Sequence, residues 1–560
     1  MRASTSSSRA AWLVVLACAA AYAPCLGARE FFHDDRAWIV SNPLLHQGLS
    51  ALPKIFTTGY VEPVLGRATP IQEYRPLLVL SFLAQTATTG FSAAPMRAAN
   101  IALHALVCLL LLASLKRRVP LEAAAAAALL FAVLPVHAEA VALISWRSEL
   151  LTAAAILAAW LCLEDGRIAA GTALYGAGML VKEHAVLFPI FYALADWTFH
   201  GKKPWQRPRV YQALGACALG YFAVRSLVLS QVMHGGVPYF ASRLTALLTL
   251  PRFYLLHYLW PSAMGLGLCS DYSRPLIADE TASSPSSWLC LIALIVIVVL
   301  ALKALRRRAA WAFWFLAPCI FLLPTSHLVF PLDTIGAERF LYIPTMGLAA
   351  GLGWLFHRLA ARRRTTAYAG MVLLAGWYLC LTARRASAWS SARGFYEAAV
   401  SCNPVSGRAR NGLGEALVAR GDGSGAREQW WRAVELDPLS SDPFYNLARL
   451  EWDSGNKQAS EVLARRALVL DPQSTDAWVL LSLALKDKGD ADGAFDALRR
   501  ALDINPDDAL AHYNMGRLSL ERLDPAAAVA HFSRFVALAP DDPDAARVRE
   551  LLRSMNVLPR

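Results

Sequence analysis

Arg29-Glu30-Phe31-Phe32-His33-Asp34-Asp35 opens a stretch that runs on to Glu73-Tyr74-Arg75-Pro76. It is the first polar interruption after an apolar N-terminal segment, Ala10 to Gly27. Two carboxylates leaving an apolar helix cost desolvation energy unless water, a metal or a cation meets them. The rest of the chain therefore has to supply either a membrane edge with water or a set of cationic partners.

The composition points to a membrane. Of 560 residues 56% are hydrophobic, and the apolar runs are concentrated in the first 385. The formal net charge of +12 sits largely in short clusters between those runs: Lys116-Arg117-Arg118, Lys202-Lys203 with Arg207 and Arg209, Arg306-Arg307-Arg308 and Arg362-Arg363-Arg364. Short basic loops mark the cytoplasmic side of a polytopic protein. They are not interleaved with aromatics on a soluble face, which argues against nucleic acid as a partner.

With Arg2 and Arg9 inside, spans are expected at about 10–27, 96–115, 120–136, 148–163, 168–181, 184–199, 209–229, 286–303, 309–324, 340–357 and 366–383. These eleven crossings leave every basic cluster inside and put the C-terminal region outside. Leu77 to Thr89 and Leu244 to Ala263 are expected to lie at the outer interface, because one extra crossing would break the alternation. The N-terminal run is read as an uncleaved signal anchor, with a cleavable signal peptide ending near Leu26-Gly27-Ala28 as the alternative. The ten cysteines show no C-x-x-C and read as small apolar packing residues; Cys269 and Cys402 fall outside, where a disulfide involving either is left open.

After Arg385 the pattern becomes a strict repeat. Pro404, Pro438, Pro472, Pro506 and Pro540 recur every 34 residues, with Leu413-Gly414, Leu447-Ala448, Trp478 with Leu481, and Met515-Gly516 in corresponding places. This is the tetratricopeptide signature: small residues let paired helices approach, and proline ends the second helix. The fold class is thus all-α, a polytopic helical membrane domain followed by an α-solenoid. The expected domains are 1–385 (with the first extracytoplasmic loop at 28–76), a connector and half repeat at 386–406, four repeats at 407–540, and a capping helix and tail at 541–560. Such arrays present a groove to peptides or proteins. Asn446 and Asn514 hold equivalent repeat positions and are candidate acceptor-binding residues, against the plainer reading of solvated helix residues.

The outward-facing segments collect ionisable groups on one side: Asp34, Asp35, Glu73 and Arg75; His137, Glu139, Arg147 and Glu149; Lys182, Glu183 and His184; Asp271 with Tyr272; and His327 through Glu338, Arg339 and Tyr342. Cations that hold a phosphate while a carboxylate handles a proton would suit an anionic substrate at an interface. Charges that merely anchor helix ends are the plainer alternative for any one of them.

These motifs, in order, resemble the transmembrane and tetratricopeptide repeat-containing O-mannosyltransferases and their bacterial relatives. The resemblance rests on Phe32-His33-Asp34-Asp35 with Asn42-Pro43, Tyr74-Arg75-Pro76-Leu77, His137-Ala138-Glu139-Ala140-Val141 with Arg147 and Glu149, Lys182-Glu183, Asp271-Tyr272, and Glu338-Arg339-Phe340-Leu341-Tyr342-Ile343-Pro344. His327 stands where the family pattern suggests Asn, and the array is shorter than is typical.

The resemblance implies a C-type glycosyltransferase fold. It implies inverting transfer of a sugar, mannose or another hexose, from a polyprenyl-phosphate carrier to an acceptor hydroxyl, protein Ser or Thr, on the extracytoplasmic face. A first-loop aspartate, Asp34 or Asp35, would be the general base, with Glu139 a further catalytic candidate. Arg339, Lys182, Glu183, His137, Arg147, Arg75 and Tyr342 would bind the donor.

No firm cofactor is implied beyond the lipid-linked sugar as co-substrate; a divalent metal at Asp34, Asp35 and Glu139 is left open. A bacterial inner membrane, with site and repeats on the periplasmic side, is the expected location. The competing reading is a non-catalytic membrane-anchored scaffold that recruits extracytoplasmic partners through its repeats. It leaves the charges gathered on one face without a purpose.

Overall fold

The computed structural model describes residues 2–27, 30–65, 73–229, 240, 242–272, 277, 280–327 and 334–555. Parts of the expected first loop (28–29 and 66–72) and of the C-terminal tail (556–560) lie outside the described residues. The described residues form helices and turns without a strand, in two compact units, Met1–Pro404 and Val405–Arg560. The boundary falls between Pro404 and Val405, so most of the expected connector, including the helix Ala392–Cys402, belongs to the first unit.

In the first unit four helical segments are long and apolar enough to cross a membrane: Ser6–Gly27, Ala93–Leu115, Pro285–Arg306 and Arg364–Ala388. A fifth crossing is available from Leu121–Ala132 joined to Pro135–Ala142 through a 48° bend. The other expected crossings fall on shorter apolar helices, such as Ile168–Val181, or on helices carrying more charge. Arg147–Glu164, for example, holds Arg147, Glu149 and Glu164. Length and composition thus support four or five spans directly, fewer than the eleven expected.

These helices approach closely where the sequence supplies small residues. A Cβ on Gly353 would stand 2.4 Å from the Ala123 carbonyl oxygen, so Thr345–Ala360 and Leu121–Ala132 touch backbone to backbone there. The helix Pro76–Thr89 buries Leu78, Val79, Phe82 and Leu83 against Ile39, Leu44, Leu45 and Ile55 of the first loop. That apolar contact gives the loop a core of its own, which an irregular segment of this length needs to be ordered. A disulfide joins Cys269 to Cys402 and ties the helix Ala392–Cys402 to the segment before Asp271.

The second unit is built as the repeat predicts. Ala448, Ala464, Ala467, Ala477, Ala494 and Ala501 are buried between successive helices. The second helix of each repeat starts on a side-chain cap spaced 34 residues from the next: Asp422 to the Gly425 N–H, Asn456 to Ala459, Asp490 to Gly493 and Asp524 to Ala527. Each cap satisfies a backbone donor that the helix itself leaves open.

One residue before these caps the chain turns through a left-handed conformation, at Gly421, Gly455 and Gly489, and in the fourth repeat at Leu523 (φ 59°). A Cβ in that region costs roughly 1–2 kcal/mol, and the Leu523 side chain is almost fully exposed, so little packing offsets it. Leu523→Gly should therefore stabilise the array by about 1 kcal/mol. A lower Tm or urea midpoint for the variant than for wild type would contradict this.

Candidate active site

The two aspartates of the first loop have opposite environments. Asp35 is fully buried: one carboxylate oxygen accepts the Ser145 N–H at 2.7 Å, the other the Ile144 N–H at 3.2 Å. Arg97 stands 4.0 Å away and donates to the Ala142 and Glu30 carbonyls, both at 3.1 Å. Burial pushes the Asp35 carboxyl above its ordinary pKa, against the pull of the Ser145 N–H and Arg97. Asp34 faces outward, its side chain 30% exposed, with Oδ2 3.6 Å from His33 Nε2.

Arg339 stands against Glu139. Glu139 accepts both the Arg339 backbone N–H, at 2.9 Å, and its guanidinium. The guanidinium stacks on Trp146, 3.6 Å from the ring centre, and its Nε has no partner among the described residues. Burial alone would pull Arg339 below its ordinary pKa; Glu139 and then Asp34 outweigh it and hold the group above.

Lys182 is paired with Glu149 and lies 6.0 Å from the Trp146 ring and 5.7 Å from Phe340. Burial keeps its ammonium below the usual lysine pKa in spite of Glu149. Glu149, His184, Phe321, Thr325, Phe340 and Ile343 line a small recess beside this pair. Trp146 and Phe340 thus stand against both cations, and aromatic faces favour cations where water is scarce.

Two further ion clusters frame the site. Arg75 bonds to Glu73 and to Glu183, and Glu183 also accepts the Tyr74 N–H at 3.1 Å and lies 3.4 Å from Arg225. Burial pushes the Glu183 carboxyl up, but Arg75 and Arg225 outweigh it and bring it to about 2. Glu338 is buried against Arg385 and the Tyr272 hydroxyl, and burial takes its carboxyl up to about 8 against the pull of Arg385.

Several expected donor-binding residues are turned elsewhere. Arg147 gives its guanidinium to Asn100, Gln85 and the carbonyls of Ser81 and Met96, so all its charge is spent on helix packing. His137 is fully buried between the Phe131 carbonyl (3.0 Å) and the Thr345 hydroxyl (2.8 Å), and the Tyr342 hydroxyl meets His104 at 2.6 Å.

The acceptor-binding expectation fares similarly. Asn446 donates its Nδ2 to Asn411 and Glu415, and Asn514 donates its Nδ2 to the Leu510 carbonyl of its own helix.

Nor do Asp34, Asp35 and Glu139 fit a divalent metal. Asp35 is buried on backbone N–H groups, and both Glu139 oxygens are held by Arg339. Among the described residues the closest grouping of metal-ligating atoms is Cys18, His104 and Cys108, away from these carboxylates; both His104 ring nitrogens there already have protein partners, Tyr342 and Ala132. Sequence reasoning missed Trp146, Arg97 and Arg225. Their one signal was position, beside Arg147 or inside apolar helices where a charge needs a reason.

Tetratricopeptide repeat models match residues 381–441, 445–509 and 485–552. A protein O-mannosyl-transferase of Caenorhabditis elegans is 26% identical over 74% of this chain and 61% of its own length. The human protein O-mannosyl-transferase TMTC4 is 26% identical over 71% of this chain and 62% of its own. The chain is a relative of the protein O-mannosyl-transferases.

A mouse relative, TMTC1, is 40% identical over a shorter segment, 24% of this chain and 14% of its own length. The chain spans about three fifths of the length of the first two relatives. Among solved structures, the crystal structure of MamA matches 29% of the chain at 22% identity with a TM-score of 0.24.

Glu338 makes stability depend on pH with a definite sign. The folded state keeps its proton up to about pH 8, whereas the unfolded carboxyl releases it near 4.5. The stabilising contribution is therefore complete below about 4.5 and is lost as pH rises through 8. The Tm of detergent-purified protein should fall between about pH 5 and 8 and level off above, and Glu338→Gln should flatten that fall; an unchanged slope in the variant would refute the assignment.

Proposed function

We propose that this chain is an integral-membrane glycosyltransferase of the inverting kind. It moves mannose or another hexose from a polyprenyl-phosphate carrier to an acceptor hydroxyl, protein Ser or Thr. The observation that carries this reading is that the same unit holds a partly exposed first-loop carboxylate, Asp34, and a half-buried guanidinium, Arg339, that Glu139 and Trp146 hold in place and whose Nε has no partner among the described residues.

In this mechanism Asp34, rather than Asp35, is the base. The acceptor hydroxyl hydrogen-bonds to Asp34 and attacks the anomeric carbon from the face opposite the phosphate. The bond to phosphate breaks, the lipid phosphate leaves with the electron pair, and Asp34 takes the hydroxyl proton. A carboxylate is a weak base for a free alcohol, so proton transfer comes late and alignment of the two substrates carries much of the rate.

Arg339 meets the charge that grows on the phosphate, with Lys182 beside it; a guanidinium suits phosphate because it can present two parallel donors. Both cations sit in a desolvated site, where such stabilisation is worth most. Asp35 and Glu183 hold the loop in place and touch no substrate.

The site faces the extracytoplasmic side, the periplasm in a bacterial inner membrane. The Cys269–Cys402 disulfide supports this placement, since such bonds persist in oxidising compartments, and so do the basic clusters on the opposite loops. The repeats of the second unit bind the protein acceptor, as arrays of this kind bind peptides.

The test is transfer from polyprenyl-phosphate-linked hexose in membranes. Asp34→Asn should lower kcat by about a hundredfold to ten-thousandfold, and Arg339→Ala by about a hundredfold or more. Asp35→Asn should act mainly on folding, costing about 1–3 kcal/mol through its lost backbone bonds. Full activity in Asp34→Asn, at wild-type protein levels, would sink the reading.

A further inference from the structure

We infer that His33 relays the proton that Asp34 takes from the acceptor, and that the helix Ala392–Cys402 exists in part to aim it. The inference rests on the transfer reading above and adds a residue to it. His33 is one of the few described non-glycine residues with a positive φ, 50°, a conformation that costs energy and persists where surrounding structure enforces it.

The enforcement is visible. The imidazole lies 5.1 Å from the Phe395 ring at 33°, and its Nδ1 is 3.5 Å from the Tyr396 hydroxyl. Phe395 is buried against Trp389 and Phe32, and its helix is tied at the far end by the Cys402 disulfide. The other ring nitrogen, Nε2, is thereby left 3.6 Å from Asp34 Oδ2, a gap that a small side-chain rotation closes.

The chemistry asks for such a group. After transfer Asp34 is a protonated carboxylic acid, and an imidazole beside it offers the proton a stronger acceptor than water. A neutral imidazole takes that proton on Nε2 with its lone pair, restoring the carboxylate, while Nδ1–H points at Tyr396. The imidazolium then returns a proton to water, which its side chain, 35% exposed, can reach.

The charged and titratable groups on the elements around the ring are Asp34 and Glu30 on its own segment, and Tyr396 with the Arg393–Glu397 pair on the packed helix. Imidazole is the side chain among these that ordinarily changes charge between about pH 5 and 8.

The experiment measures incorporation of radiolabelled sugar from polyprenyl-phosphate-linked mannose into the proteins of native membranes, as a function of pH, for full-length wild type, Asp34→Asn, His33→Gln and Tyr396→Phe. Wild type should show an acid-side inflection in kcat. His33→Gln should lower kcat by about tenfold to a hundredfold with KM for the donor unchanged, and should lose that inflection. Tyr396→Phe, which keeps the ring contact, should shift the profile with a smaller loss.

If His33→Gln is unstable, the solvent isotope effect on wild-type kcat stands in: the relay requires an effect that Tyr396→Phe alters. Abolished transfer in Asp34→Asn together with an unchanged kcat and pH profile in His33→Gln would overturn the relay and leave the transfer reading standing. No transfer by wild type, or full transfer by Asp34→Asn, would overturn both.

Discussion

Asp35 buried on the backbone N–H groups of Ile144 and Ser145 is the contact on which the charged cluster around the first loop depends. A carboxylate without water needs donors of fixed geometry, and two successive amides supply them without side-chain entropy. The bond fastens the first loop to the turn that carries Trp146 and Arg147. Trp146 then supports the Arg339 guanidinium, and Arg147 locks the neighbouring helices. Removing Asp35 would loosen the loop and the cationic wall together.

Neighbouring residues thereby acquire different duties. In His33-Asp34-Asp35 the last residue is spent on structure, the middle one is partly exposed, and the first is strained into contact with both Asp34 and the Phe395–Tyr396 pair. The same division recurs in Lys182-Glu183, where Glu183 holds Arg75 and Arg225 while Lys182 turns toward Glu149 and the aromatic rings. Adjacent side chains on a bent backbone leave in different directions, so a short motif can serve fold and site at once.

Much of the fold was legible beforehand. The 34-residue spacing of the prolines and the small residues at the helix contacts are local features that recur, so each repeat confirms the others. The membrane character was also legible, but the number of spans was not. Hydrophobic runs such as 148–163 became helices that carry charged ends or fall short of a bilayer's thickness, and hydropathy alone does not separate a buried helix from a spanning one.

The sequence by itself determined the residue types available at the outer face, the order in which they occur and the repeat array that follows. Only the tertiary structure decided which of them face outward. Asp34 and Asp35 are chemically identical and adjacent, yet one is solvated and the other buried. Arg147 and Arg339 are equal as cations, yet one has every guanidinium nitrogen bonded and the other keeps Nε without a partner among the described residues. The physical reason is that availability depends on partners more than a hundred positions away, such as Ile144 and Ser145 for Asp35 and Glu139 for Arg339, and no local pattern encodes contacts of that separation.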